Sequence, residues 1–365
     1  MSLDERELKE ILQSSNINFL IGAGCSYPYL SLLGDIEQAM VDAKDNQNKV
    51  LKQLKTYFND VMYPCLSILD DGKTLSTVKP SKNKPSDKEK FDITKNGYKE
   101  IFESINNILL HRKITLLNKQ VNVFTTNIDI FMEKILEDMN FEYNDGFSGN
   151  INPTFQTSNF NKSMYKISTH FSNVSEIPTF NIIKLHGSLS WGVNKAKDKI
   201  VFSKLKSLST IESSKSNNNK FQDEYNKLQI VNPTKNKFQE TVMDVTYYEL
   251  LRIYSSALEK ENTVLFVIGF SMDDEHIRTI TKRVADSNPT LKIYIFCHAK
   301  GRTSEKCTEW FKDSRYQNIA IITPETEDKT YDLSTINSDY FVNIVSDKKP
   351  EIAEEDSENE AEIIT

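Results

Sequence analysis

The chain has 365 residues, of which 38% are hydrophobic and 27% are charged, and its formal net charge at pH 7 is −7. This length and composition are enough to bury a sizeable core in one large domain or two modest ones. The negative net charge argues against a protein that coats nucleic acid by bulk electrostatics, so we expect no direct nucleic-acid binding. Because the N-terminus is charged and no apolar run reaches the length of a membrane span, we expect a cytoplasmic protein without membrane contacts.

The first half of the chain alternates apolar stretches with long polar ones. In chain order it predicts a helix, a buried strand, a stretch with helical apolar spacing, a solvated loop, a strand and a helix: residues 5–13, 17–21, 35–58, 79–90, 121–124 and 130–139. The loop is predicted because its segment is rich in Pro, Ser and Lys and contains no large apolar side chain.

The second half becomes more regular towards its end. Residues 146–180 are dense in Asn, Ser and Thr and predict a variable region, whereas the apolar run 182–185 predicts a strand and the polar segment 203–220 a loop. The chain then alternates helix, strand, helix, strand, short helix and strand: about 241–260, 263–270, 272–285, 292–297, near Trp310 and 319–323. This alternation predicts an α/β fold with a Rossmann-like, mostly parallel sheet and helices on both faces.

We expect one domain over residues 1–345 and a disordered acidic tail over 346–365, because the last fifteen residues contain seven acids and no base. The domain is predicted to combine a Rossmann-like core with a smaller, mostly helical and variable module. The core is expected from about residues 15–34, 119–145, 181–192 and 228–325, and the module from about 35–118 and 146–227.

A glycine-rich turn follows the first predicted strand. The segment NFLIGAGCS, residues 18–26, ends the strand on Gly22, Ala23 and Gly24. In a doubly wound sheet ligands bind beyond the carboxyl ends of the strands, and glycine lets backbone N–H groups approach a diphosphate. The segment matches neither GxGxxG nor GxxxxGK[ST], because no basic residue follows Gly24. The residues alone therefore leave open a turn that serves only strand packing.

Two further predicted strands end on polar motifs. In TTNID, Asn127 and Asp129 stand between a strand and a helix, although Asn127 or Thr126 also suits the N-cap of that helix. In KLHGSLSW, His186 is flanked by an apolar strand and a glycine, so its imidazole can project into a cleft. A structural histidine is the alternative there.

The segment VIGFSMDDEH contains the fourth motif, with Gly269 and Ser271 at a strand end. Ser271 and Asp274 have the spacing of a capping box, so a helix start also explains them. Asp273, Asp274 and His276 do not have the spacing of a helical metal site, and we expect a solvated helix start there.

The cysteines predict no metal site and no disulfide framework. The chain has four of them, Cys25, Cys65, Cys297 and Cys307, and no CxxC pair. Cys25 follows the glycine turn, where it fills a small-residue position rather than acting as a reactive thiol.

The four motifs GAGCS, TTNID, KLHGS and IGFS, in this order, resemble the motif set of the sirtuin family over about residues 17–300. The resemblance implies a Rossmann-like sheet that binds NAD+ across its strand ends and cleaves the bond between nicotinamide and ribose. It assigns the diphosphate and ribose site to a set of matched positions: Gly22, Ala23, Gly24, Ser26, Gly269 and Ser271. Thr126, where the family usually has Gln, belongs with these cofactor-binding positions.

The resemblance also implies catalytic roles for three residues. Asn127 matches the residue near the reacting ribose, Asp129 the residue that helps to hold the nicotinamide carboxamide, and His186 the histidine that acts as a base towards the ribose hydroxyls. Such a base typically contributes about 10²–10⁴ in rate. No metal is required for this chemistry.

The chain departs from the protein deacylases of that family in one important respect. Deacylases carry a four-cysteine zinc module after the catalytic histidine, whereas this chain has no cysteine between His186 and Cys297, so we expect no zinc. The pattern resembles the sirtuin-like domains of bacterial anti-phage systems, which hydrolyse NAD+ to ADP-ribose and nicotinamide and so deplete it. It also resembles sirtuin-like subunits that assemble with a HerA-type DNA-translocating ATPase, and we expect a homo-oligomer.

Two other functions remain open from the sequence. A deacylase or ADP-ribosyl transferase would share the first half-reaction and transfer the ribosyl group to another acceptor. A non-catalytic sensor would bind NAD+ or ADP-ribose and report through assembly, but such a protein has no need for Asn127, Asp129 and His186 together.

Overall fold

The computed structural model describes most of the chain, namely residues 3–32, 39, 46–75, 85–112, 116–169, 173–196, 199–231, 245–326 and 328–344. Part of the predicted helical stretch 35–58, the first half of the predicted loop 79–90 and the predicted acidic tail 346–365 lie outside these residues.

The elements of the described residues are numbered in chain order. The helices are α1 (Glu5–Ser14), α2 (Gln47–Tyr57), α3 (Leu66–Leu69), α4 (Asp87–Leu110), α5 (Phe131–Asp138), α6 (Lys206–Ser214), α7 (Asn218–Tyr225), α8 (Val245–Leu258), α9 (Glu275–Ser287), α10 (Arg302–Phe311) and α11 (Leu333–Ile336). The strands are β1 (Asn16–Ile21), β2 (Gln120–Thr125), β3 (Glu142–Asn144), β4 (Phe147–Ser148), β5 (Thr154–Phe155), β6 (Tyr165–Ile167), β7 (Val174–Glu176), β8 (Thr179–Lys184), β9 (Trp191–Val193), β10 (Ile200–Phe202), β11 (Thr263–Ile268), β12 (Leu291–Phe296) and β13 (Ile319–Ile322).

A seven-stranded sheet forms the centre of the fold, with strand order β13-β12-β11-β1-β2-β8-β3. Every neighbouring pair in it is parallel. Strands β2, β8 and β3 lie on one side of β1, whereas the later strands β11, β12 and β13 lie on its other side. The order of strands therefore reverses between β1 and β11, which is where ligands bind in open α/β sheets.

Both faces of this sheet are covered, as its apolar strands predict. Along β1, Phe19 and Ile21 belong to a core that includes residues of α1 and α4, whereas Leu20 belongs to a second core with residues of α8 and α9. The alternation of side chains along a strand places these two cores on opposite faces. The prediction of a Rossmann-like, mostly parallel sheet with helices on both faces, plus helical parts elsewhere, is confirmed.

Two segments predicted as loops are helical where the structure describes them. Helix α4 begins at Asp87 inside the predicted loop 79–90, because Ser86 and Glu89 form a capping box that outweighs the polar composition. Helices α6 and α7 occupy much of the predicted loop 203–220. Leu208 and Ile211 of α6 are fully buried, and their spacing of three residues anchors a helix whose other positions are mostly polar.

The predicted helical module is only partly helical. Its first part contains helices α2, α3 and α4, whereas residues 147–176 and 191–202 contain short antiparallel strands. Strands β4, β5, β10 and β9 form a small sheet in this order. Aromatic side chains give this sheet its own packing, and the ring centroids of Phe155 and Trp191 lie 4.6 Å apart. In the part of the chain that the structure describes, no helix is long and apolar enough to span a membrane.

Candidate active site

The four motifs meet at one edge of the sheet. The carboxyl ends of β11, β1, β2 and β8 are level, since Ile21 pairs with both Ile268 and Thr125, and Thr125 pairs with Lys184. Backbone hydrogen bonds also join the loops that follow these strands: the N–H of Gly24 donates to the oxygen of Gly269 over 2.9 Å. The fold thus brings together the motifs that lie far apart in the sequence.

The loop after β1, with Gly22 and Gly24, packs its backbone directly against the loop after β11, with Gly269. We call these two segments the glycine loops. A Cβ atom on Gly22 would lie 2.5 Å from the carbonyl oxygen of Gly269, and one on Gly24 would lie 2.9 Å from the same oxygen. Gly269 itself has a φ of +63°, which favours glycine. Strand and loop packing alone therefore requires glycine at these positions, as the packing interpretation of GAGCS expected. Their contact with a diphosphate stays a prediction.

Asn127 is fixed on one side of its amide. Its Nδ2 donates to the carbonyl oxygen of Gly22 over 3.0 Å and to Oγ of Ser26 over 3.2 Å. Its side chain is buried, and Oδ1 has no hydrogen-bond partner among the described residues. The N-cap alternative is wrong for Asn127 and Thr126, because α5 begins at Phe131. A buried amide oxygen without a partner is expensive unless a ligand or water donates a hydrogen bond to it.

Asp129 is joined to the turn after β1 and to the start of α5. Its Oδ2 accepts a hydrogen bond from the Ser26 hydroxyl over 2.9 Å, and its Oδ1 accepts one from the backbone N–H of Phe131 over 3.0 Å. Asp129 is buried, so its carboxylate depends on these partners. Each carboxylate oxygen can accept a second hydrogen bond, so a carboxamide N–H can still be bound there.

Tyr98 belongs to the same network, and sequence reasoning missed it. Its hydroxyl lies 3.1 Å from Oγ of Ser26. Because Ser26 donates its only proton to Asp129, the Tyr98 hydroxyl must be the donor. Burial, with the nearby charge of Asp129, raises the pKa of Tyr98 well above its usual value, which keeps the hydroxyl protonated. In the sequence, Tyr98 is one aromatic among the buried positions of a long amphipathic helix, so no pattern singles it out.

Lys184 anchors the loop that contains Asn127 and Asp129. It is the last residue of β8, its side chain is 3% exposed, and its Nζ donates to the backbone oxygen of Asp129. Its Nζ also lies 3.0 Å from Oε1 of Glu133 on α5. Burial raises the pKa of Glu133, while Lys184 acts in the opposite direction. The buried lysine thus connects the strand that precedes His186 to the loop with the other two predicted catalytic residues.

His186 lies in a buried cluster with Asp274 and His276. Its Nε2 is 3.2 Å from Oδ2 of Asp274, and Nδ1 of His276 is 2.9 Å from Oδ1 of the same carboxylate. The prediction of a solvated helix start is therefore wrong for Asp274 and His276, whose side chains are 6% and 4% exposed. Burial alone would raise the pKa of Asp274, but hydrogen bonds from His186 and His276 outweigh it and hold this pKa well below its usual value.

The remaining predicted residues occupy the rim of this arrangement. Thr126 is half-buried, Ala23 is half-buried in the short turn Ala23–Ser26, and Ser271 is exposed. Ser271 does not cap α9, because the N-cap of that helix is Asp274. Cys25 is buried with a pKa that burial raises, so its thiol is unreactive, as expected.

Comparisons with known proteins identify the family. The model of the SIR2-like domain matches residues 121–319, which is more than half of the chain. A sirtuin structure solved to explain substrate affinity is 12% identical, with 86% of this chain and 100% of that chain covered and a TM-score of 0.38. The structure of Sir2Tm bound to a propionylated peptide is also 12% identical, with 89% and 94% covered and a TM-score of 0.41. No curated protein matches. The chain belongs to the family of proteins with a SIR2-like domain.

Proposed function

We propose that this protein is an NAD+ glycohydrolase that cleaves NAD+ to ADP-ribose and nicotinamide. The observation that carries the proposal is the state of Asn127, whose buried amide is anchored through Nδ2 while Oδ1 has no partner among the described residues. An anchored amide with an unused acceptor can orient a water molecule without competing as a charge. Asn127 follows β2, next to the place where the order of strands reverses, and dinucleotides bind at such places in open α/β sheets.

The reaction breaks the bond between the nicotinamide nitrogen and C1′ of the ribose, and nicotinamide leaves with the electron pair. A water oxygen then bonds to C1′. Asn127 positions that water through Oδ1, which supplies the orientation that a reactant within about 3–3.5 Å requires. His186 accepts the proton that the water loses, directly or through a ribose hydroxyl. Asp129 holds the carboxamide through the remaining lone pairs of its carboxylate.

The sequence after His186 favours water as the acceptor over an acylated peptide. No cysteine occurs between His186 and Cys297, so the chain cannot build the four-cysteine module that shapes the peptide cleft in deacylases. The first elements after the histidine loop are β9, β10, α6 and α7, in the region where deacylases carry that module.

The wider biological proposals depend on the motif resemblance alone. We propose that the protein acts in the cytoplasm in anti-phage defence by depleting NAD+, that it forms a homo-oligomer, and that it assembles with a HerA-type ATPase. The division into core, variable module and acidic tail is proposed from the composition of the sequence and its predicted elements. Cellular NAD+ should fall after infection in cells with the wild-type protein and not in cells with Asn127→Ala.

The enzymatic proposal is tested by nicotinamide release from NAD+, measured by chromatography with the purified chain alone and with extract of infected cells. His186→Ala should lower the rate about 10²–10⁴-fold, the usual contribution of a general base. Asn127→Ala should lower it about 10²-fold through loss of orientation. The exposed His111 and Asn226 offer matched controls, and His111→Ala and Asn226→Ala should retain the wild-type rate. Tight NAD+ binding without nicotinamide release under any of these conditions would contradict the proposal and favour a sensor.

A further inference from the structure

We propose that Asp274 is a positioning residue that fixes the tautomer and the orientation of His186, so that Nδ1 of His186 is the nitrogen that acts on the ribose or water. The proposal rests on the proposed function for what His186 does, but its structural part can be tested without any turnover.

The carboxylate of Asp274 bridges two imidazole rings. Oδ2 faces Nε2 of His186 at 3.2 Å, and Oδ1 faces Nδ1 of His276 at 2.9 Å. A carboxylate beside one ring nitrogen favours the proton on that nitrogen, which makes the other nitrogen the acceptor. For His186 the contact is at Nε2, so Nδ1 becomes the basic nitrogen. His276 contacts the second oxygen of the same carboxylate, and the two contacts together fix the plane of the Asp274 carboxylate.

The loop that presents Asp274 is held in place by an arginine. The guanidinium of Arg278 donates from Nη1 to the backbone oxygens of Met272 and Asp273, over 2.7 and 3.3 Å. The same guanidinium lies over the ring of Trp310, with 4.3 Å between its Cζ and the ring centroid. Met272, two residues before Asp274, has a φ of +59° and turns the chain into the cluster. Asp274 therefore has the fixed position that an orienting group requires.

The same three side chains could also be ligands of a transition metal, so the two interpretations must be compared. The donor atoms of His186, Asp274 and His276 lie within 4.8 Å of one another. Zinc bonds to nitrogen and oxygen of about 2.0–2.2 Å in a tetrahedron need ligand atoms about 3.3 Å apart, so the widest separations would have to contract. The two contacts of the carboxylate already have hydrogen-bonding lengths and need no change. The geometry thus favours a carboxylate that bridges two imidazole rings over a metal site.

The kinetic test is a double-mutant cycle. Asp274→Asn should lower kcat by about 10- to 100-fold, the usual effect of losing an orienting partner, and should change KM for NAD+ by less than about twofold. In the His186→Ala background the same substitution should lower kcat no further, because the two residues act as one unit. The neighbouring Asp273 provides a matched control, since its side chain is 53% exposed and pairs with Lys306. Asp273→Asn should retain the wild-type kcat. Additive losses from Asp274→Asn and His186→Ala would overturn the proposal.

The spectroscopic test does not depend on turnover. The chain has five histidines, so ¹⁵N-histidine labelling gives a small set of ring signals, and His186 is assigned by the signal missing from His186→Ala. The wild type should show His186 with its proton on Nε2, and Asp274→Asn should show a mixture of tautomers. A proton on Nδ1 in the wild type would overturn the proposal, whether or not NAD+ is cleaved, and this measurement decides even if Asp274→Asn fails to fold. Loss of activity with EDTA and its return with Zn²⁺ would also overturn it.

Discussion

The close packing of the loops after β1 and β11 makes Gly22 sensitive to the addition of a single methyl group. Gly22 has φ and ψ of −108° and −176°, an extended conformation that alanine also adopts, so Gly22→Ala introduces no backbone strain. Its Cβ would lie 2.5 Å from the carbonyl oxygen of Gly269 and 2.7 Å from Cα of Phe270. Ordinary contact begins at 3.4 Å, so the loops after β1 and β11 must separate by about 0.9 Å.

The consequences of this separation should appear in both stability and activity. Overpacking of this kind destabilises a protein by about 1–3 kcal/mol. A displacement of about 1 Å near Asn127, which is anchored to the oxygen of Gly22, should also lower nicotinamide release about 10²-fold. Guanidinium unfolding followed by tryptophan fluorescence measures the first effect, and chromatography of nicotinamide the second.

The matched control for this substitution is Gly192→Ala on β9. A Cβ there would make ordinary contact with Cβ of Ser203 at 3.4 Å. Gly192→Ala should therefore leave stability and turnover close to those of the wild type. If Gly22→Ala is as stable and as active as Gly192→Ala, the close contact between the loops after β1 and β11 is contradicted.

Four further predictions concern the surroundings of the site. Lys184→Met leaves Glu133 buried without its partner and should destabilise the chain by about 3–5 kcal/mol in denaturant unfolding, and Glu133→Gln in that background should recover part of the loss. All four cysteines are buried thiols, so a thiol reagent should react with none of them in the native protein and with all four after unfolding. Burial alone would raise the pKa of Asp274, but His186 and His276 hold this pKa well below its usual value. The stabilising contribution of the ionised carboxylate is therefore fully present above about pH 3.9 and is lost progressively as the pH falls below that value. The difference in unfolding free energy between wild type and Asp274→Asn, measured at pH 5 and at pH 3, tests this expectation. Ser86→Ala removes the cap of α4 and should lower the unfolding free energy by about 1 kcal/mol, with exposed Ser213→Ala as its control.

The sheet could be predicted from the sequence because its strands are short, apolar and separated by helical patterns. The runs around β1, β2, β8, β11 and β12 are buried on both faces, and such strands produce continuous apolar segments. The four motifs were found for the same reason, since each one directly follows such a strand. In a parallel sheet their positions after strands also imply that they lie at one edge.

The parts that sequence reasoning missed depend on contacts between distant segments. Tyr98 reaches Ser26 only because α4 packs beside the turn after β1, and Asp274 reaches His186 only because β11 and β8 end at the same level of the sheet. Neither contact leaves a periodic signal in the chain. Helix α6 was missed because most of its positions are polar and only its few buried side chains, such as Leu208 and Ile211, determine where it packs.

Analysis of the reaction products distinguishes transfer of the ribosyl group of NAD+ to water, which we propose for this SIR2-like protein, from transfer to an acylated peptide. NAD+ should be incubated with the wild type and with Asn127→Ala, in each case with an acetyl-lysine peptide present, and the products identified by mass spectrometry. We expect equal amounts of nicotinamide and ADP-ribose from the wild type, an unchanged peptide, and about 10²-fold less product from Asn127→Ala. Formation of O-acetyl-ADP-ribose with loss of the acetyl group from the peptide would contradict it.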